Sequence, residues 1–570
     1  MRRRSTLALS VVVLLLALLT SLGYLWPRRG GIGTVGTAAT HAGLTANFQR
    51  KTLYAQGYHW IFYSSGSHIL YESSPDGLRW EKPTVLMDGI SSSAISVWYD
   101  GKIHLAQAPG TAGLAVVYKR AALSGGTLMW EREEVAVPGI RGVIFNLTSQ
   151  PTGFESLWEM STTDPSMLTG TTTSIRTGAS MAGAYLLFQP GLEVTGAYGI
   201  SLPDKCTQRG WRSRSPLSTI IGEGVWKIGL RLINSEDEAH AGRPAVRLWR
   251  SPEADMSNAT SITGWVEGAA LSFAPQAGEA KRQTITVGLP DVALLGEYLF
   301  MELAWKTTVQ GTSNLTGVVL ASDEGGWVET PTYEYYNAYV SVADDGSPWV
   351  SYLRNDGFNW SAHVTMSRRE PGSTWNASTR VSGLSPLVWR PSILPLDEGR
   401  MYALYASETG IKGRLWDGKA WAAEEEAISV NLTQDYGYSA VAEDGDLHLA
   451  LLRDVSYDLL YLRRVWDIGW QAPVVLATGL DPVSFPGLSA DELNGAIYVF
   501  WLHQGALYMK RAAKGEWDNS TSTPLGTGFD SPKALTVSYR VENGRVCVAW
   551  LEGYTMPFRI RYGSVSVHGP

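Results

Sequence analysis

Apolar positions along this chain fall in short runs separated by Asp, Asn and Gly, and the runs recur as one unit. Each unit reads as an apolar strand, an acidic or Gly turn, and a second apolar strand. The copies are Ala94-Ile-Ser-Val-Trp-Tyr-Asp-Gly101, Val340-Ser-Val-Ala-Asp-Asp-Gly346, Ile393-Leu-Pro-Leu-Asp-Glu-Gly399 and Ser439-Ala-Val-Ala-Glu-Asp-Gly445. Leu488-Ser-Ala-Asp-Glu-Leu-Asn-Gly495 and Val537-Ser-Tyr-Arg-Val-Glu-Asn-Gly544 continue the series, and Leu53-Tyr-Ala-Gln-Gly57 opens it more loosely. Asp-Gly and Asn-Gly turn a hairpin because their backbones reach φ > 0 cheaply. The turn glycines are spaced 44 to 53 residues apart, except for one gap of 245 between Gly101 and Gly346. A strand repeat of this period predicts a β-propeller.

The residues after each glycine sharpen the picture. Three positions on stand Trp60, His104, Trp349, Tyr402, His448, Tyr498 and Cys547. Four positions on stand Ile61, Leu105, Val350, Ala403, Leu449, Val499 and Val548. Both parities are largely apolar or aromatic, so the strand is covered on both faces, as between neighbouring blades. His104 and His448 share the aromatic slot and read as packed core residues, not metal ligands. A second marker follows in six copies, a strand and turn ending in Trp80, Trp130, Trp375, Trp421, Trp470 and Trp517. Each is expected to wedge between blades at the start of an outermost strand. The seventh unit stops early, at Phe558-Arg-Ile-Arg-Tyr562, so a strand from the other terminus is expected to close the ring. Seven units predict seven blades, with a six-bladed ring as the alternative count.

The long gap holds an insertion at 141–330, between blades 1–2 in 31–140 and blades 3–7 in 331–570. Trp226-Lys-Ile-Gly-Leu-Arg-Leu-Ile233, Ala245-Val-Arg-Leu-Trp249, Gln283-Thr-Ile-Thr-Val287 and Tyr298-Leu-Phe-Met-Glu-Leu-Ala-Trp305 read as strands. No long amphipathic helix interrupts them, and a jelly-roll β-sandwich is expected. In texture it resembles carbohydrate-binding β-sandwich modules. Lys205, Arg209, Arg212 and Arg214 around Trp211 read as an exposed basic loop. Glu236-Asp-Glu238 is the one candidate for Ca²⁺ and reads first as a solvated loop, so no cofactor is expected.

Arg2, Arg3 and Arg4 precede an apolar run from Leu7 to Trp26, 20 residues, which suffices for one bilayer crossing. Residues 1–30 therefore read as a transmembrane signal anchor with the bulk extracytoplasmic. Cleavage near Ala39 to Ala42, giving a secreted protein, is the alternative. Sequons at Asn146, Asn258, Asn314, Asn359, Asn376, Asn431 and Asn519 fit an exported glycoprotein. The net charge of -7 argues against nucleic acid as a partner. Two distant cysteines, Cys206 and Cys547, exclude a thiolate metal site and read as unpaired thiols.

The strand, turn and Trp element resembles the Asp-box (BNR) repeat of sialidase-type propellers. Ser74-Pro-Asp-Gly-Leu-Arg-Trp80 carries it best, through Ser74, Asp76, Gly77 and Trp80, one residue short between Asp and Gly. It is also similar to the repeat of furanosidase-type glycoside hydrolases, and Trp416-Asp-Gly-Lys-Ala-Trp421 resembles repeats of propeller lectins. The resemblance covers roughly 50–140 and 331–565. It implies a sialidase-like propeller with ligands at the channel mouth, on loops entering the innermost strands. There lie Tyr335, Tyr336, Trp389, Arg390, Tyr436, Asp481, Phe485 and Asp530, aromatic faces and polar groups suited to sugars. Asp435, Glu334 and Asp88 are the carboxylates a hydrolase would need. The sialidase F/Y-R-I-P motif is absent, since Phe558-Arg-Ile-Arg561 lies in the last repeat and lacks Pro. The expectation is a non-catalytic surface protein binding glycan or protein partners. The alternatives are an exported glycoside hydrolase and a structural envelope component.

Overall fold

The computed structural model describes residues 29–40, 43–44, 46–88, 94–111, 114–152, 157–161, 173–177, 185–187, 205–234, 237, 239–307, 315–320, 326–357, 359–368, 374–430, 437–482, 486–513, 516–517 and 522–567. The expected anchor falls almost wholly outside them. Among the described residues no helix is long and apolar enough to cross a membrane. The chain divides into two compact units, one of Ile140–Tyr333 with Asp356–Phe358, the other of the remainder.

The larger unit contains seven antiparallel sheets of four or five strands among the described residues. Their innermost strands are Thr52–Ala55, Ile95–Tyr99, Glu334–Val342, Val388–Pro395, Tyr438–Glu443, Gly487–Asp491 and Lys533–Val537. Each turns back through the repeat glycine. All seven glycines have positive φ, from 64° at Gly495 to 106° at Gly101, which is why glycine recurs there. The last sheet takes its outermost strand, Arg29–Ala38, from early in the chain, paired antiparallel with Phe558–Ser566. The sheets form a closed β-propeller.

An innermost strand has no strand partner on its axial side, and its buried N–H groups still need acceptors. Hydroxyls from the preceding sheet supply several. Ser96 Oγ accepts from Val340 N at 2.6 Å, Ser439 Oγ from Leu488 N at 2.9 Å and Thr536 Oγ1 from Lys51 N at 3.3 Å. The three hydroxyls hold one register position, directly before the residues paired with Leu105, Leu449 and Val548.

The marker tryptophans form a second ring of contacts. Trp80 packs on Tyr562, Trp375 on Tyr118, Trp421 on Trp349, Trp470 on Tyr402 and Trp517 on Tyr461, at centroid distances of 4.8 to 6.3 Å. In every case the partner belongs to the preceding sheet. Trp130 departs from the rule. It lies on the outer strand Thr127–Val137, 43% exposed, beside the Lys119 ammonium. His104 and His448 are buried, and their Nδ1 atoms meet the Tyr118 and Tyr461 hydroxyls at 2.7 and 2.5 Å. Burial drives the His448 imidazole down to about 3, so it stays neutral. Both cysteines are free.

In the inserted unit, Gly224–Asn234 and His240–Ser251 are not paired with each other, yet Trp226, Ile228, Val246 and Leu248 share one core. Two facing layers result, linked into one hydrogen-bonded path through Ile144–Pro151, Leu157–Ser161 and Gly210–Ser213. The basic loop expected near Trp211 is instead the strand Gly210–Ser213, pairing with Leu157–Ser161 and Val292–Thr307. Trp211 is fully buried, and Arg212 is buried over the Tyr298 ring. The apolar bulk of Trp211 outweighs the charges flanking it. Glu236 and Glu238 lie outside the described residues, and Asp237 accepts from Ala277 N at 2.9 Å.

Candidate functional site

The axis of the propeller is filled by the chain itself. Asn47, Phe48, Gln49, Arg50 and Lys51, leading into the first innermost strand, are all at most 3% exposed. Their side chains reach the innermost strands of other sheets. Asn47 donates to Pro486 O at 2.8 Å and Gln49 to Ala338 O at 2.5 Å. Phe48 packs against the Tyr339 and Tyr438 rings, 6.4 and 6.1 Å away. Lys51 Nζ donates to Gln49 Oε1 and Ile95 O, both at 2.6 Å. Arg50 donates to Ser439 Oγ, Leu488 O and Ala440 O at 3.0, 3.1 and 2.6 Å, and its guanidinium sits over Tyr539. Burial holds the Lys51 ammonium well below its ordinary value.

At the end of the axis where innermost strands begin, a register repeats. Asn337 and Arg390 have left-handed φ of 52° and 57°, each within a bulge on its innermost strand. Tyr336 and Trp389 directly precede them, so the two aromatics hold one position on neighbouring strands. Tyr336 is half-buried, packs on Trp360 at 5.1 Å and donates from its hydroxyl to Glu334 Oε2 at 2.7 Å. Trp389 is half-buried, with its indole Nε1 lacking a hydrogen-bond partner. Arg390 reaches toward Gly437, where a Cβ would stand 2.8 Å from Nη1 and 2.1 Å from Asn47 Oδ1. Trp360 is the member of this group that the sequence repeat does not mark. It opens a third strand, beside the Asn359 sequon.

The other expected residues are more dispersed. Tyr335 is 1% exposed, edge-on against Tyr352 with its hydroxyl on Pro138 O, so it packs the interior and does not face a ligand. Asp88 ends the outermost strand Thr84–Asp88, 95% exposed and 3.5 Å from His68 Nε2. Asp481 accepts from Gln504 N at 2.7 Å, capping a turn of the sixth sheet. Asp530 lies 3.9 Å from Arg559, and its own N–H donates to Glu552. Asp435, Tyr436 and Phe485 fall outside the described residues, as do Asn314, Asn431 and Asn519. Asn258 and Asn376 are exposed, and Asn146 and Asn359 half-buried.

In the Asp-box copy, Asp76 Oδ1 accepts from Leu78 N and Arg79 N, both at 2.8 Å, and Ser74 Oγ from Gly77 N. Those backbone donors hold the Asp76 carboxyl down at about 2. Trp80 follows against the Tyr562 ring, so this element tightens a turn between outer strands.

The opposite end of the axis, where the repeat turns meet, carries a cavity of about 390 Å³. Asp344, Asp397, Glu443, Asp444, Glu492 and Arg540 line it. Arg540 pairs with Glu492 at 2.7 Å and lies near the Trp98 and Tyr539 rings. Burial, then the neighbouring Glu492, pushes the Glu443 carboxyl up to about 7. A carboxyl raised on folding binds its proton more tightly in the native state. Its contribution is stabilising below about 4.5 and is lost as pH rises through about 7. Glu443→Gln should therefore melt above wild type at pH 8 and alike at pH 4.5. Scanning fluorimetry at the two pH values checks this, and equal midpoints at pH 8 would contradict it. Among the described residues no cluster of His, Cys, Asp and Glu could hold a metal ion.

No family model and no curated protein matches the chain. Among solved structures it is similar to the polysaccharide lyase Uly1, at 10% identity over 93% of this chain and 92% of that one, with a TM-score of 0.39. An Aleuria aurantia lectin in complex with α-methyl-L-fucoside aligns at 10% identity over 86% and 98%, with a TM-score of 0.34. The endo-arabinase from Bacteroides thetaiotaomicron aligns at 14% identity over 40% and 92%, with a TM-score of 0.25.

Proposed function

We propose that this chain is a seven-bladed, sialidase-like Asp-box propeller that binds glycan chains without cleaving them. In this reading the apolar run of residues 7–26 anchors it in a membrane, with the propeller and inserted sandwich outside the cell. The observation that carries the reading is the aromatic register where the innermost strands begin. Tyr336 on Trp360 offers ring faces on which a sugar packs, and Glu334 offers a carboxylate acceptor beside them. Trp389 repeats the position on the neighbouring strand. The buried segment Asn47–Lys51 fills the axis, so the site is shallow, which suits an exposed chain better than a small molecule. The seven sequons agree with export.

The rival is a glycoside hydrolase, which needs two carboxylates about 5 to 10 Å apart across the bond. Glu334 would be one, with Asp435 the partner. The full chain should bind members of a glycan array. Trp389→Ala and Trp360→Ala should each weaken binding about tenfold or more, near 1.4 kcal/mol, with little change in melting. Glycoside turnover abolished by Glu334→Gln would replace this reading with the hydrolase. Neither binding nor turnover would favour a structural component of the envelope. Retention of the full chain in carbonate-washed membranes tests the anchor.

A further inference from the structure

The polarity of one strand decides which end of the propeller can meet a membrane. Arg29–Ala38 pairs antiparallel with Phe558–Ser566, Arg29 opposite Val565 and Ala38 opposite Phe558. Just past Val565, Val567 N donates to the carbonyl of the repeat glycine Gly544 at 2.8 Å. Arg29 therefore stands at the end of the axis where the repeat turns meet. A second contact agrees. Leu78, in the Asp-box turn between His68–Ser74 and Thr84–Asp88, lies over Gly31, where a Cβ would stand 2.6 Å from its Cδ2. Ala38 lies at the mouth. Its partner Phe558 follows the loop in which Gly553 N donates to Asp530 O, ahead of the innermost strand Lys533–Val537.

The sequence before this strand makes a short tether. The apolar run ends at Trp26, and Pro27 and Arg28 alone separate it from Arg29. Three Cα–Cα steps span at most about 11 Å in any conformation. Phe558–Ser566 has nine residues, roughly 25–30 Å from mouth to turn end. With the mouth against a bilayer, Arg29 would stand a full strand length away, beyond the reach of the tether. Exposed apolar side chains do not choose between the ends, since Tyr554 and Val455 lie at the mouth and Leu493 and Ile468 at the turns. The tether does choose. Of the surfaces it can bring to lipid, the turn end offers Leu493, Ile468 and Trp466, whose ring lies 3.5 Å from the Arg400 guanidinium carbon. The edge strand Arg29–Ala38 offers one exposed large apolar side chain among its described residues, Ile32.

We propose that the propeller rests on a bilayer by its turn end, with Leu493, Trp466 and Ile468 at the lipid surface and the mouth opening away from it. This rests on the reading of residues 7–26 as a membrane anchor. Asp344, Asp397, Glu443, Asp444 and Glu492 lie at the same end, so the contact suits a zwitterionic surface better than an anionic one. The glycan bound at the mouth then arrives from the medium or from an opposing surface. A glycan rooted close by in the same membrane lies on the wrong side.

The test places the full chain in phosphatidylcholine vesicles whose headgroups carry a spin label that quenches fluorescence on contact. A fluorophore is attached at Leu493→Cys or at Tyr554→Cys, both exposed turn positions. The parent chain, labelled in parallel, gives the background from Cys206 and Cys547. The label on Leu493→Cys should be quenched several-fold more than the label on Tyr554→Cys. Equal quenching would mean that the propeller lies on its side, and would overturn the proposal. Stronger quenching of Tyr554→Cys, or none in either variant, would overturn it as well. A chain that carbonate strips from the vesicles would remove the anchor and this orientation together. A retained chain with the wrong quenching pattern would remove the orientation alone.

Discussion

Deleting residues 29–38 together with everything before them should cost the propeller more than about 4 kcal/mol, well beyond an ordinary single substitution. The strand Arg29–Ala38 supplies the outer edge of the last sheet, with Ile32 opposite Gly563, Thr34 opposite Arg561 and Ala38 opposite Phe558. Ala38 is fully buried in a core with Leu44, Ile61, Tyr63, Ile560 and Tyr562, which draws on the first and last sheets. Thr34 Oγ1 also accepts from Arg561 at 2.6 Å. Without the strand, Phe558–Ser566 becomes an open edge that invites pairing with other chains. A truncation that begins at Arg29 keeps all these contacts and should behave as the longer chain. One that begins at Ala39 loses them. Urea unfolding of the two truncations, with size-exclusion chromatography for aggregation, makes the comparison. Equal midpoints would mean that the ring closes without its outermost strand.

The second large effect belongs to Trp60. This side chain is fully buried in the core shared by the first and second sheets, 6.0 Å from the Tyr71 ring. Trp60→Ala leaves a cavity between two sheets that cannot collapse without moving the ring, and about 3–5 kcal/mol should be lost. Trp130→Ala is the internal control. Its ring is 43% exposed on an outer strand, so the change should stay within about 0.5 kcal/mol. Chemical denaturation followed by circular dichroism gives both numbers. Similar losses at the two positions would remove the packing explanation for the abundance of tryptophan.

The repeat is legible because two chemical needs recur in every sheet. A left-handed turn favours glycine, and a wide gap between sheets favours an aromatic ring. Five of the six marker tryptophans meet an aromatic of the preceding sheet. Trp130 does not, and nothing in its local pattern sets it apart from the others. The axial segment is not legible. Asn47, Gln49, Arg50 and Lys51 look like an exposed linker, since polar side chains satisfied by carbonyls carry no apolar signature. Only their burial distinguishes them. At the candidate site, adjacent tyrosines part company. Tyr335 packs inside while Tyr336 stays half-buried at the strand end, because successive strand residues alternate. The kinship of Tyr336 with Trp389 emerges through the bulges at Asn337 and Arg390, which a one-dimensional repeat does not reveal. Arg212 fails as a surface charge for the same reason that Trp211 succeeds as a core residue, since both sit in a strand with partners on either side.

The closing strand also imposes an order on how the protein is made. Arg29–Ala38 leaves the ribosome ahead of every sheet, but its partner, Phe558–Ser566, comes more than 500 residues later. At about 5–20 residues per second, the wait is roughly half a minute to two minutes. Throughout that interval the first sheet stands with one face uncovered, and a short strand with unpaired N–H groups trails ahead of it. Biogenesis of this molecule therefore depends on keeping one early segment extended and uncommitted until the last sheet has been synthesised.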